Sequence, residues 1–241
     1  MIKNLVARVF RLVASKFYWN STVKELNLDQ YEGKSIAIVG GADSAFYEEN
    51  GEYIDSFDVV IRVNRGIDNL NGNERYLGTK TTLLFHGLHE DPINGCGPVR
   101  PMLWHKMGVE HVVFPLIGQS EHTELLKTFV SRSKGSLSIM QISEPDYFVL
   151  KNELEGFRTT TGFAAIYLAS KIRYSKMFVT GFTFFRTPHQ SGYIDSVRIE
   201  EIRSNIKERN FHNPDVEFEL FKKLYSSRTN IEIDKPMKDL M

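Results

Sequence analysis

Seven short apolar runs most constrain what this chain can fold into: Ile36–Val39, Val59–Val63, Thr81–Phe85, His111–Pro115, Leu137–Ile142, Met177–Thr180 and Ile231–Ile233. Runs of this length, rich in β-branched residues and bounded by turn signals, read as strands. Strands that are apolar along their whole length are covered on both faces. Helical periodicity appears between several of them, around Val99–Met107, Glu121–Ser131, Glu144–Leu154, Gly162–Ile172 and Asp215–Tyr225. This alternation predicts an α/β domain built on a parallel or mostly parallel sheet of about seven strands, flanked by helices. At 241 residues the chain suits one large domain. Ligands of such sheets bind beyond the carboxyl ends of the strands, so the residues just after each apolar run are the functional candidates.

Thirty basic residues balance thirty acidic ones, so no global field points to a nucleic-acid partner, and an anion must be recognised locally. Cys96 is the only cysteine, which excludes an internal disulfide and a structural cysteine-based zinc site and favours a reducing, cytoplasmic compartment. Residues 1–24 form a separate basic, amphipathic segment ahead of a domain expected over 30–241. Within it Ile2, Leu5, Val6, Val9, Leu12, Val13 and Phe17 recur at helical spacing among Lys3, Arg8, Arg11 and Lys16. Those charges are incompatible with a spanning helix or a secretory signal. Two readings fit residues 1–19: a helix packed on the domain or a partner, and a peripheral foot on an anionic membrane surface.

The first strand runs into Gly40-Gly41, a turn that lets a ligand approach the backbone. The following Ala42, Asp43, Ser44 and Ala45 do not supply the spaced glycines of a dinucleotide site, but a mononucleotide remains open. Arg62 and Asn64 close the second strand, two residues apart and so expected on one side. An Asn amide offers a donor and an acceptor to a base edge or ribose, although Asn is also an ordinary turn residue. Thr159, Thr160 and Thr161 precede Gly162 and an apolar helix, an arrangement suited both to an N-cap and to an anion at the helix start. Gly181-Phe182 ends another strand and brings an aromatic ring that can pack on a base or sugar. His212 stands just before Asn213-Pro214, an N-cap and first-turn pair, where the helix dipole disfavours imidazolium and suits a neutral general base, although a lone His before a helix is also an ordinary surface cap residue. Glu217, one turn in, can orient backbone or ring. His189 and Tyr193 lie in a loop from which either can reach a phosphate. His86 and His89 have metal-like spacing without a third ligand, and His105, His111 and His122 are scattered, so no metal site is expected.

The order of these pieces resembles the sialylmotifs of the eukaryotic-type sialyltransferases, glycosyltransferase family 29. Val39-Gly40-Gly41, Ile54-Asp55-Ser56-Phe57-Asp58, Arg62-Val63-Asn64 and Leu77-Gly78-Thr79-Lys80-Thr81-Thr82 are similar to the large sialylmotif. Thr160-Thr161-Gly162 through Gly181-Phe182 resembles the small one, His189 with Tyr193 the third, and His212 with Glu217 the very small motif, H-x-x-x-x-E. The resemblance spans roughly residues 34–233. It implies a single Rossmann-like domain of the variant GT-A kind. It also implies an inverting, metal-independent transfer from CMP-sialic acid to a sugar hydroxyl of a glycan or glycolipid acceptor, with the CMP-sugar as co-substrate and no cofactor. On this resemblance His212 is the base and His189 the phosphate partner. Gly40, Gly41, Ser44, Asn64, Thr160, Thr161, Gly162, Gly181 and Phe182 surround the nucleotide, and Arg62, Tyr193 and Glu217 support them. Gly41 and Ser44 stand where the family carries asparagines, and Ser35 and Tyr174 where vertebrate members carry a cysteine pair. These departures leave open a related donor such as CMP-Kdo, or a CMP-binding module without catalysis.

Overall fold

All seven apolar runs form strands, and an eighth precedes them. A computed structural model describes residues 13, 16–90, 96–118, 120–190, 204 and 211–241. The strands are β1 (Val23–Glu25), β2 (Ser35–Val39), β3 (Val59–Val63), β4 (Leu83–Phe85), β5 (His111–Phe114), β6 (Ser138–Gln141), β7 (Lys176–Thr180) and β8 (Ile231–Ile233). The helices used below are α1 (Gly51–Asp55), α2 (Glu74–Leu77), α3 (Pro101–Lys106), α4 (Ser120–Ser133), α5 (Glu144–Glu153), α6 (Thr161–Lys171), α7 (Pro214–Ser226) and α8 (Lys235–Lys238). The unexpected strand, β1, is three residues long with an exposed Lys24 and Glu25, so it lacks the apolar run by which the others are read. It pairs with β6 at the sheet edge. Residues 16–22, just before it, are helical. Among the described residues no helix is long and apolar enough to cross a membrane.

The sheet has the order β1-β6-β5-β4-β3-β2-β7-β8 with every pairing parallel. Alternation of side chains divides the core into two layers. Ile36, Ile38, Ile61, Val63, Phe85 and Val179 face one layer with Phe163, Ile166 and Phe221 from α6 and α7. Ala37, Val39, Val60, Leu84, Val112 and Phe178 face the other with Ile54, Trp104 and Phe129 from α1, α3 and α4. From β2 the chain builds toward β6 on one side, then returns to place β7 on the other side of β2. The order therefore reverses between β2 and β7, and in open parallel sheets a crevice forms there at the carboxyl ends.

Much of the large-motif resemblance is scaffold. Asp55 accepts hydrogen bonds from the Thr79 and Lys80 amides, both at 2.9 Å, and from Thr79 Oγ1 at 2.8 Å. Asp58 accepts from the amide and hydroxyl of Ser35, each at 2.8 Å. Arg62 is not at the surface of the crevice: it is 1% exposed. Its Nε donates to Thr81 Oγ1 at 2.9 Å, and its Nη2 donates to the Leu77 and Lys80 carbonyls at 2.7 and 2.9 Å. Burial lowers its pKa to about 10, still fully charged near neutrality. The expectation that Arg62 and Asn64 share a side fails because strand alternation stops at Val63. Asn64 adopts a left-handed conformation, φ 47°, and opens a 3₁₀ turn.

Replacing Arg62 with Ala removes the donors to two main-chain carbonyls in the interior. The Arg62→Ala chain is expected to lose about 2–4 kcal/mol of unfolding free energy, read as a lower urea midpoint at unchanged slope. Arg62→Lys recovers only part of it, since one ammonium cannot span the same fork of acceptors.

Candidate active site

At the β2/β7 switch the two backbones nearly touch. A Cβ built on Gly40 would lie 2.2 Å from the Gly181 carbonyl oxygen and 2.8 Å from the Phe182 ring, so no other residue fits. The same ring would meet a Cβ on Gly162 at 2.9 Å. Phe182 is thus wedged between the turn after β2 and the first turn of α6. Its ring is a spacer holding these segments at a set distance, which the sequence reading of a free stacking surface did not foresee. Gly181 is left-handed, φ 72°. Its amide donates to Asp234 Oδ2 at 2.9 Å, which also accepts from Thr180 Oγ1 at 2.8 Å. Asp234 is buried at the start of α8 and was missed in the sequence; its place at the carboxyl end of β8 was the available signal.

A second chain of contacts runs through Asn64. Its Oδ1 accepts the Gly87 amide at 3.1 Å, and a Cβ on Gly87 would lie 3.5 Å from Thr161 Oγ1. Asn64 therefore spends its acceptor on the protein and retains its amide N–H groups as donors. Gly87, just beyond β4, is another position the sequence reading passed over. Ser44 is 2% exposed and its hydroxyl has no partner among the described residues, so the structure does not bring it to the open side of the turn.

The start of α6 is held by a carboxyl from α7. Thr160 is the N-cap: its Oγ1 accepts the Phe163 amide at 3.1 Å. Glu217 Oε1 accepts the Thr160 amide at 2.6 Å, and Oε2 accepts the Thr160 hydroxyl at 2.8 Å. Of the two roles open to Glu217, the structure gives it the backbone. The amides at the start of α6 have no helical acceptor and carry the positive end of the dipole, which makes this turn a place for an anion. Glu217 is fully buried, and burial outweighs the two Thr160 hydrogen bonds and raises its pKa to about 8.

His212 precedes α7, whose N-cap Asn213 accepts from the Asp215 amide at 3.2 Å. Its Nδ1 lies 2.8 Å from the Arg158 carbonyl. A carbonyl only accepts, so Nδ1 carries the proton and Nε2 keeps its lone pair. Burial is the main cause of a pKa below the ordinary histidine value. His189 bridges to Ala42, and its Nδ1 is 3.3 Å from the Gly41 carbonyl. Gln190 seals the same turn, with its amide on Gly41 O at 3.0 Å and Nε2 on Gly40 O at 3.2 Å. His189 also has its pKa lowered by burial. Tyr193 and most of residues 1–15 lie outside the described residues.

The remaining histidines take other roles. His86 Nδ1 accepts the Leu88 amide at 2.9 Å, and complete burial holds its pKa at about 4. His89 Nδ1 meets Glu121 Oε1 at 3.3 Å. Among the described residues no group of three or more His, Cys, Asp or Glu side chains is placed to hold a metal ion.

The family model for glycosyltransferase family 29 (sialyltransferase) matches residues 2–148, well over half of the chain. The chain belongs to glycosyltransferase family 29, the sialyltransferases. No curated protein sequence matches it. Among solved structures, a mammalian sialyltransferase in complex with Gal-beta-1-3GalNAc-ortho-nitrophenol is 20% identical, over 84% of this chain and 70% of that one, with a TM-score of 0.53. The monofunctional alpha-2,3-sialyltransferase Cst-I from Campylobacter jejuni is 16% identical, over 87% of this chain and 78% of that one, with a TM-score of 0.54. The sialyltransferase CstII from Campylobacter jejuni, in complex with the substrate analogue CMP-3FNeuAc, is 15% identical, over 83% and 81%, with a TM-score of 0.51. At these identities the likeness shows the sialyltransferase fold. The family match ends before α6, so the Thr160–Gly162 turn, the Gly181-Phe182 corner and His212 lie outside the matched residues.

Glu217 gives this sialyltransferase a pH signature. Its folded pKa lies above the unfolded value of 4.5, so the folded chain holds a proton that the unfolded chain has released. That contribution is fully present below about pH 4.5 and is lost as pH rises through about 8. Glu217→Gln mimics the protonated form. The stability difference, wild type minus Glu217→Gln, is expected to fall steadily from pH 5 to 8.5 in urea titrations; a flat difference would contradict a buried, proton-holding carboxyl.

Proposed function

We propose that this chain transfers sialic acid from CMP-sialic acid to a sugar hydroxyl of a glycan or glycolipid acceptor, with inversion and without a metal. The observation that carries this reading is His212: a half-buried, neutral ring whose Nδ1–H is committed to the Arg158 carbonyl, leaving Nε2 as a base. An acceptor hydroxyl is a poor nucleophile. Nε2 takes its proton as the oxygen attacks the anomeric carbon of the donor, the bond to the CMP phosphate breaks, and the electron pair leaves with the phosphate oxygen.

The departing charge needs donors. The Thr161 and Gly162 amides and the Thr161 hydroxyl at the start of α6 supply them, with the Asn64 amide at the nucleotide. His189 holds its Nδ1–H toward Gly41, so its Nε2 donates to the phosphate once the ring is protonated; the phosphate's own charge favours that protonation against burial. Similar structures that hold CMP-3FNeuAc and a Gal-beta-1-3GalNAc acceptor support this choice of substrates. Residues 1–19 fit the same reading as a peripheral contact with an anionic membrane, in a cytoplasmic setting.

The test is CMP release from CMP-sialic acid with and without glycan acceptors, with CMP-Kdo as competing donor and the product anomer determined by NMR. His212→Ala is expected to lower turnover by about 10²–10⁴-fold with CMP binding retained. The rate should fall on the acid side only below the ordinary histidine value of 6.5, because His212 is neutral down to a lower pH. Full turnover by His212→Ala would remove the assigned base. Transfer from CMP-Kdo alone would change the donor, and CMP binding without any transfer would make the chain a binding module.

A further inference from the structure

Arg158 grips the His212 segment twice through its main chain. Its amide donates to the Phe211 carbonyl at 2.8 Å, and its carbonyl receives His212 Nδ1–H at 2.8 Å. The side chain stays at the same place. Its guanidinium carbon lies 4.8 Å from the centre of the Phe211 ring, which is half exposed. A cation–π contact therefore holds a positive charge against the residue next to the base.

Among the described residues no carboxylate is paired with that charge. Arg158 makes no ion pair among the described residues, while the acids of α7 are engaged elsewhere. Glu217 is turned onto Thr160, and Asp215 pairs with Arg186 at 2.9 Å. Arg186 itself lies over the Phe218 ring, 4.3 Å from its centre. The Arg158 charge also opposes protonation of His122 on α4 and favours ionisation of Tyr147 on α5.

We propose that Arg158 is a positioning residue for the base: its main chain selects the Nδ1–H form of His212, and its guanidinium, braced on Phe211, sets a positive charge beside the ring that opposes a second proton. Burial is the strongest influence and opposes imidazolium; the hydrogen bond to the Arg158 carbonyl favours it, and the Arg158 charge, the smallest of the three, opposes it. The catalytic consequence rests on His212 being the base; the placement of Arg158 does not.

An NMR titration of the His212 imidazole tests this in the full chain, with its resonance identified by its loss in His212→Asn. Wild type, Arg158→Gln and Arg158→Lys are compared, beside the pH profile of kcat for each. Arg158→Gln is expected to raise the His212 midpoint by about half a unit to one unit, and the acid limb of kcat should move with it. Arg158→Lys keeps the charge and stays near wild type. Equal midpoints in wild type and Arg158→Gln, or the same rise in both variants, would overturn the proposal. A shifted midpoint with an unshifted acid limb leaves the role of Arg158 standing and instead removes His212 as the base.

Discussion

Gly40 and Gly181 pass so close that a single methyl on Gly40 would lie 2.2 Å from the Gly181 carbonyl oxygen, and the site depends on that approach. It occurs where the strand order reverses, so no helix crosses between the ends of β2 and β7. The Phe182 ring fills the gap and sets the distance to Gly162 on α6. Asp234 pins the β7 side through the Gly181 amide, and Gln190 pins the β2 side through the Gly40 and Gly41 carbonyls. The glycines act here mainly as the residues that let an aromatic ring gauge the width of a crevice.

The second constraint is a buried carboxyl. Glu217 ties α7 to the N-cap of α6 across 57 residues of sequence. The Arg158 carbonyl ties His212 to the segment that leads into the same cap. His212 and the first turn of α6 are thereby parts of one hydrogen-bonded unit. A displacement of α7 would move both. In the proposed transfer, preorganisation of this kind places the donors before charge develops on the leaving phosphate.

Most of the architecture was legible in the sequence because burial on both faces demands apolar runs, and those runs are easy to see. β1 was not, because an edge strand with Lys24 and Glu25 exposed needs no such run. At the site, His212, Glu217, Asn64 and the glycine turns were all nominated from their positions at strand or helix ends. Their partners were harder. Arg62 read as a support of the nucleotide site on the same side as Asn64 and proved to be a buried strut, since a charged residue at a strand end gives no sign of which neighbours will bury it. Asp234, Gly87 and Arg158 were passed over because each works through a main-chain group of a distant segment, and such pairs leave no local pattern.

By itself the sequence determined the α/β class, the strands of the sheet interior, the helix caps at Thr160 and Asn213, and the order of motifs that marks a sialyltransferase. Those properties depend on neighbours within a turn or a strand, where spacing along the chain equals spacing in space. Only the tertiary structure decided which nitrogen of His212 carries the proton, that the side-chain oxygen of Asn64 is already used, and what Glu217 and Phe182 hold. Each of those is settled by one hydrogen bond or one van der Waals contact between segments that meet only when the sheet reverses direction beside β2.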